Sequence, residues 1–104
     1  MLITTKTQQF TNASIFEVEV GATGLRGGDT GCGGRTYLRF KDLAGTDMRI
    51  DVLPAGDEIS MVFGGDAEFE NLLAGLEFAV KVLKESRVEG TPDDLAVIGT
   101  RDVP

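Results

Sequence analysis

A glycine-rich segment, residues 21–35, carries the side chains whose types and spacing best suit chemistry. Seven of the chain's 14 glycines lie in this segment. Successive glycine amides can form a concave nest that binds anions, and paired arginines can clamp a phosphate or a carboxylate. The segment therefore predicts a nucleotide- or anion-binding loop in which Arg26 and Arg35 act as clamps. Its candidate ligand- or partner-binding residues are Arg26, Gly27, Gly28, Asp29, Thr30, Gly31, Gly33, Gly34 and Arg35.

The same segment departs from the Walker phosphate-binding motif. In the stretch DTGCGGRT, Asp29 stands where that motif has glycine, and Arg35 stands where it has lysine. The segment also leads into a strand-like run rather than a helix, so no helix dipole would point at a phosphate. Cys32 is interpreted as a thiol without a chemical role, because the chain has no histidine that could act as its base.

Asp29-Thr30-Gly31 resembles the D-T-G of the retroviral-type aspartic proteases, and Val97-Ile98-Gly99 is similar to an apolar-apolar-Gly segment near the end of those chains. The resemblance implies a homodimer in which two Asp29 side chains share a proton and activate water. It covers about six residues. The family's motif follows an apolar strand, whereas here it follows Arg26-Gly27-Gly28. A homodimeric aspartic hydrolase is therefore kept as the third hypothesis.

Composition excludes several classes of chemistry. The 104 residues include no histidine and one cysteine, which excludes histidine-activated nucleophiles, disulfides within the chain and most zinc or copper sites. The sequence contains no D-x-[DN]-x-[DN]-G run, so an EF-hand is excluded as well. We therefore predict no metal and no cofactor, and we favour a binding protein over an enzyme.

The net charge of −7 is unevenly distributed along the chain. Residues 1–41 sum to +2, residues 42–77 to −8 and residues 78–104 to −1. An acidic middle repels phosphate backbones, which argues against direct binding of nucleic acid, and it attracts a basic protein. No signal-peptide pattern and no apolar run of about 18 residues is present, which predicts a cytoplasmic protein that does not enter a membrane.

Hydrophobic periodicity predicts the elements that must position these residues. Apolar and polar residues alternate over 14–20, 36–41, 47–53 and 58–63, which is typical of strands with one buried face. Residues 2–10 are compatible with an edge strand. The inward-facing residues of the alternating strands are Phe16, Val18, Val20, Leu38, Phe40, Met48, Ile50, Val52, Ile59, Met61 and Phe63.

Residues 66–87 are predicted to form one long amphipathic helix, because apolar residues recur there at helical spacing. Residues 100–104 are expected to fray at the end of the chain. The apolar stripe assigned to the helix is Phe69, Leu72, Leu73, Leu76, Ala79, Val80 and Leu83.

These elements predict a single α+β domain over residues 1–104. In it, an antiparallel sheet of four or five strands, arranged as a meander, packs one face on the long helix. The other sheet face is polar and is a second candidate binding surface. Its candidate residues are Tyr37, Arg39, Asp47, Arg49 and Asp51.

The leading functional hypothesis is a small acidic binding protein without enzymatic activity, which acts through a macromolecular partner. An adaptor or inhibitor of the kind carried by mobile genetic elements fits this size. The partner is expected to be a protein, with a basic one favoured by charge, and pairing of residues 2–10 with a second copy would give a homodimer. The alternative is a small anionic ligand in the glycine-rich segment.

Overall fold

The computed structural model describes residues 2–25, 28, 33–44, 48–87 and 97–104. The chain folds as an α+β structure, as predicted. A four-stranded antiparallel sheet and a second, two-stranded sheet pack against one helix. The elements in chain order are β1 (Leu2–Phe10), β2 (Ile15–Ala22), β3 (Thr36–Ala44), β4 (Met48–Val52), β5 (Ile59–Phe63), α1 (Asp66–Arg87) and β6 (Val97–Asp102).

The strands form two sheets rather than one meander. The larger sheet has the order β3-β2-β1-β6, and the smaller sheet consists of β4 and β5. Met48 and Phe63, which face each other at the base of the β4–β5 hairpin, pack against the core. The hairpin therefore meets the core with one face instead of extending the sheet beyond β3. Its far end leaves the core, and Val52 and Ile59, both predicted to face inward, are exposed there.

Residues 100–102 are part of a strand, β6. The sequence had instead predicted that residues 100–104 fray. β6 pairs antiparallel with β1 from Val97 opposite Thr7 to Asp102 opposite Leu2. This pairing places β1 between β2 and β6, so the prediction that residues 2–10 form an edge strand is wrong. The edges of the larger sheet are β3 and β6. Residues 5–7 pair with β2 on one side and with β6 on the other, so this middle part of β1 offers no open edge to a second copy.

The start of the glycine-rich segment also belongs to the sheet. Gly21 and Ala22 are the last residues of β2. Gly21 faces β1 so closely that a Cβ atom would overlap the carbonyl oxygen of Thr4. The connection to β3 is closed by two hydrogen bonds, from Thr23 N to Arg35 O at 2.9 Å and from Arg35 N to Thr23 Oγ1 at 2.8 Å.

The core lies between β2 and α1. Phe16, Val18 and Val20 alternate along β2, as predicted, and they are fully buried. The ring of Phe16 stacks on Phe40 at 5.7 Å between centroids and meets Phe63 edge-on at 5.2 Å. Burial of large apolar side chains of this kind contributes about 1.5–3 kcal/mol each, which makes β2 the central element of the fold.

Gly75 sets the face that α1 turns to the sheet. A Cβ atom on Gly75 would lie 2.9 Å from both Phe16 Cε2 and Val18 Cγ2. The helix therefore approaches the sheet at its only described glycine, and Phe78, Ala79 and Val82 are buried on the same side.

Asn71 holds the turn between β1 and β2 against α1. Its Nδ2 donates to Asn12 O at 3.0 Å and to Ser14 Oγ at 2.9 Å, while its Oδ1 accepts from Asn12 N at 3.1 Å. Asn71 is buried, and these bonds satisfy its amide. The turn itself bends at Ala13, whose φ is 58°.

The Gly75→Ala variant is expected to lose about 1–3 kcal/mol of unfolding free energy, because its added methyl group overpacks two fully buried side chains. An unstrained helical Gly→Ala change instead gains about 0.5–1 kcal/mol. Urea unfolding of the wild type and the variant therefore distinguishes the two cases by sign. A gain in stability would show that α1 does not touch β2 at this point.

Candidate functional site

The glycine-rich segment is described only in part. Gly28 is exposed, Gly33 is buried, and Gly34 and Arg35 are half-buried next to β3. The segment's remaining candidate residues, and Cys32, lie outside the described residues. They are Arg26, Gly27, Asp29, Thr30 and Gly31. The hydrolase hypothesis on Asp29-Thr30-Gly31 therefore stays a prediction from the sequence.

Arg35, one of the two predicted anion clamps, donates to backbone carbonyl oxygens. Its Nε donates to Pro104 O at 2.6 Å, and its Nη1 donates to Gly33 O at 3.2 Å and to Gly34 O at 3.1 Å. These bonds tie the segment to the end of the described chain. A bound anion would have to compete with these carbonyls for the guanidinium, so the geometry gives the clamp hypothesis no support.

The sheet face that points away from α1 is centred on Glu19. The Glu19 carboxylate accepts hydrogen bonds from Thr5 Oγ1 at 2.7 Å, from Arg39 Nε at 2.9 Å and from Arg101 Nη2 at 2.8 Å. Arg101 Nε adds a further bond to Oε2 at 2.9 Å. Because the donors come from β1, β3 and β6, the carboxylate on β2 connects all four strands of the larger sheet.

Two predicted residues of this face, Tyr37 and Arg39, take part in the same cluster. Arg39 Nη2 donates to Glu17 Oε2 at 2.7 Å, so its guanidinium bridges Glu17 and Glu19. The guanidinium of Arg101 lies 5.5 Å from the centre of the Tyr37 ring, within cation–π range. Arg101 was not singled out in the sequence, because nothing near residue 101 indicates a strand that pairs with β1.

The charges of this cluster compensate one another. The hydrogen bond from Arg101, supported by those from Thr5 and Arg39, lowers the pKa of Glu19 from 4.5 to about 2 against the opposing effect of burial. The hydrogen bond from Arg39 is the main cause that lowers the pKa of Glu17. Both carboxylates are therefore ionised at neutral pH and hold guanidinium groups, which suits a structural role better than proton transfer.

The other predicted residues of the outer face lie elsewhere. Arg49 and Asp51 belong to β4 in the smaller sheet, so they do not share a face with Tyr37 and Arg39. Arg49 Nε donates to Asp51 Oδ2 at 2.8 Å on an exposed surface, where ion pairs stabilise little. Asp47 lies outside the described residues. The sequence pattern showed only that these side chains alternate with buried ones, not which sheet they join.

The apolar stripe of α1 differs from the predicted one. Of the seven residues assigned to the core, Ala79 is buried, and Leu72 and Leu83 are partly buried against it. The other four side chains are exposed: Phe69 by 60%, Leu73 by 42%, Leu76 by 42% and Val80 by 49%. These four form a continuous row along the helix, which we call the α1 apolar face. Apolar residues therefore cover more of α1 than the sheet occupies, and the helix is not simply amphipathic.

Gly75 and Asn71 are the signals that could have located the buried side of α1. A glycine inside a helix costs about 1 kcal/mol relative to alanine, so it indicates a packing reason. An asparagine among apolar residues indicates a local hydrogen-bonding role. Both lie on the side of the helix opposite the α1 apolar face. Had they been used to orient the helix, the exposed row would have been predicted.

Charged residues border the α1 apolar face in an ordered way. Asp66, Glu70 and Glu77 occupy the N-terminal and middle parts of the border, whereas Lys81 and Lys84 occupy the C-terminal part, and all five are exposed. An open depression of about 480 Å³ lies at this C-terminal part, with Leu76 and Val80 among its lining residues. An apolar centre with a charged border is typical of a protein-binding surface.

Neither a metal centre nor a membrane-spanning helix is found in the described part of the chain. No three Cys, Asp or Glu side chains there are grouped to hold a metal ion. No helix there has the length and hydrophobicity needed to cross a membrane.

Unfolding free energy is predicted to fall below about pH 4.5. Because the folded-state pKa of Glu19 lies below its unfolded value, its contribution is complete above pH 4.5 and is lost as the pH falls towards 2. The loss is on the order of 3 kcal/mol. Urea unfolding from pH 7 to pH 2.5 measures it. Glu19→Gln should remove most of this dependence, whereas Glu58→Gln, in the exposed β4–β5 turn, should retain it. An unchanged pH profile in Glu19→Gln would contradict the assignment.

Comparison with protein-family models, curated proteins and solved structures gives no match to this chain.

Proposed function

We propose that this chain is a small acidic, non-enzymatic binding protein that acts through a protein partner and contacts that partner with the α1 apolar face. The exposure of Phe69, Leu73, Leu76 and Val80 is the observation that carries the proposal. Monomeric proteins rarely leave a contiguous apolar patch of this kind in water, and such patches mark interaction sites.

The spacing of the exposed residues supports recognition by a helix or a groove. Steps of four, three and four residues place the side chains in one row along α1, and this is the pattern by which helices anchor in apolar grooves. The helix has 22 residues and is therefore about 33 Å long. Because its opposite side is fixed to the sheet through Gly75, the row is held in place before a partner binds, which lowers the entropic cost of association.

The polar sheet face is a weaker candidate for the same role. Its charged groups already bond to one another around Glu19, so a partner would have to replace those bonds. A partner of the α1 apolar face replaces only water at exposed carbon. Removing apolar surface from water is favourable by about 25 cal/mol per Å².

Photocrosslinking in the cells of origin tests this proposal. Benzoylphenylalanine in place of Leu76 should give discrete adducts with protein, because Leu76 lies in the middle of the proposed contact. The matched control carries the same group in place of Val62, which is 62% exposed on the β4–β5 hairpin. Adducts are measured by gel mobility and identified by mass spectrometry. Equal adducts from both positions, or none from Leu76, would contradict the proposal.

A further inference from the structure

We infer that the partner of the α1 apolar face is a second copy of this chain, with the two α1 helices antiparallel about a two-fold axis. This inference rests on the proposed function, because it assigns an occupant to the same face. It goes further by fixing the identity and the orientation of that occupant. The arguments are the spacing of the apolar row and the distribution of charge along its border.

The apolar row has the spacing of a two-helix seam. Phe69, Leu73, Leu76 and Val80 follow one another at intervals of four, three and four residues, which keeps apolar side chains on the line where two helices meet. Leu83, partly buried against the core, continues the row by a further three residues. A flat or irregular partner surface would not require this regular spacing of apolar residues. A second copy of α1 carries the same spacing, so its apolar row can pack along this one.

The charged border is self-complementary only in the antiparallel orientation. Asp66 and Glu70 lie near the N-terminus of α1, and Lys81 and Lys84 lie near its C-terminus. In an antiparallel pair the lysines of each helix come beside the acidic residues of the other. In a parallel pair each charged flank would lie beside the opposite flank of the partner, so these lysines and acidic residues would not meet. The antiparallel arrangement also opposes the two helix dipoles.

The apolar row and the charge pairs share one centre. The midpoint of Phe69 and Val80 is position 74.5, that of Glu70 and Lys81 is 75.5, and that of Asp66 and Lys84 is 75. A two-fold axis that passes the helix near residue 75 therefore aligns the apolar residues and both charge pairs at once. These pairs are self-complementary, as a symmetric dimer interface requires. Glu77, which lies close to the axis, comes nearest to its own copy and opposes the pairing.

The same charges disfavour a purely basic partner. Lys81 and Lys84 border the C-terminal half of the face and the depression beside Leu76 and Val80. Glu77 and Glu85 also line this depression, so a basic surface laid along the helix would meet acidic residues near the N-terminus and mixed charges near the C-terminus. The acidic net charge of −7 favours basic partners for the molecule as a whole, but the local border of this face does not.

Sedimentation equilibrium of the purified full chain tests the dimer. We expect the wild type to be dimeric at 100 µM or below at about 0.15 M salt, where the screening length is about 8 Å. Leu76→Glu should raise the dissociation constant at least tenfold, and the exposed control Val62→Glu should not. A monomeric wild type, or a dimer that persists in Leu76→Glu, would overturn the inference. Circular dichroism verifies that each variant is folded.

A double lysine variant tests the dimer without changing an apolar residue. Lys81→Glu with Lys84→Glu changes only exposed side chains and makes the whole border acidic. This double variant should also raise the dissociation constant at least tenfold. An unchanged dissociation constant would show that the charged border does not lie in the interface, and would overturn the inference.

Cysteine pairing tests the orientation, in a chain that also carries Cys32→Ser. Chains with Glu70→Cys and chains with Lys81→Cys should form a disulfide-linked dimer when mixed and oxidised. Each alone should not, because the two identical positions are separated along the axis by about 16 Å. Self-pairing of each variant would indicate parallel helices and overturn the inference.

The crosslinking and sedimentation results together distinguish failure of the dimer inference from failure of the proposed function. Adducts from position 76 that contain a different protein, together with a monomeric wild type, would retain the protein-binding proposal and overturn the dimer. Adducts whose mass is twice that of the chain, together with a dimer that depends on Leu76, would support both. The absence of adducts from position 76 and of any dimer would overturn both.

Discussion

The close approach of α1 to β2 at Gly75 is the constraint on which the rest of this structure depends. Because no side chain separates the helix backbone from Phe16 and Val18 at that point, the rotation of the helix about its axis is fixed. Phe78, Ala79 and Val82 are thereby buried, and Asn71 reaches the β1–β2 turn. The same rotation leaves the α1 apolar face in solvent, so the core and the proposed interface are two results of one contact.

A polar counterpart to this contact organises the other side of the sheet. Glu19 lies on the face of β2 opposite Phe16, Val18 and Val20, and it is almost fully buried although charged. A buried charge is tolerated when partners supply hydrogen bonds and opposite charge, as Thr5, Arg39 and Arg101 do here. β2 therefore joins an apolar layer and an ionic layer within one strand.

The sequence allowed prediction of the parts whose determinants are local. Alternation in β2 identified Phe16, Val18 and Val20 as core, and helical spacing identified the range 66–87. The parts that failed depend on distant partners. β6 has no alternating pattern, and it is stabilised by β1 and by an ion pair between residues 19 and 101, which are 82 positions apart. The orientation of α1 also failed, because a broad apolar arc fits several rotations until the sheet selects one.

The pairing of β1 with β6 has a consequence for how the chain is made. During synthesis from the N-terminus, β1 is made 90 to 100 residues before β6, the strand with which it pairs. Until residues 97–102 leave the ribosome, β1 presents an open backbone edge of the kind that recruits other strands. Closing so long a loop is entropically costly and slow. A nascent chain that lacks residues 97–102 is thus the species most exposed to misassembly, and pairing of β6 with β1 removes that hazard.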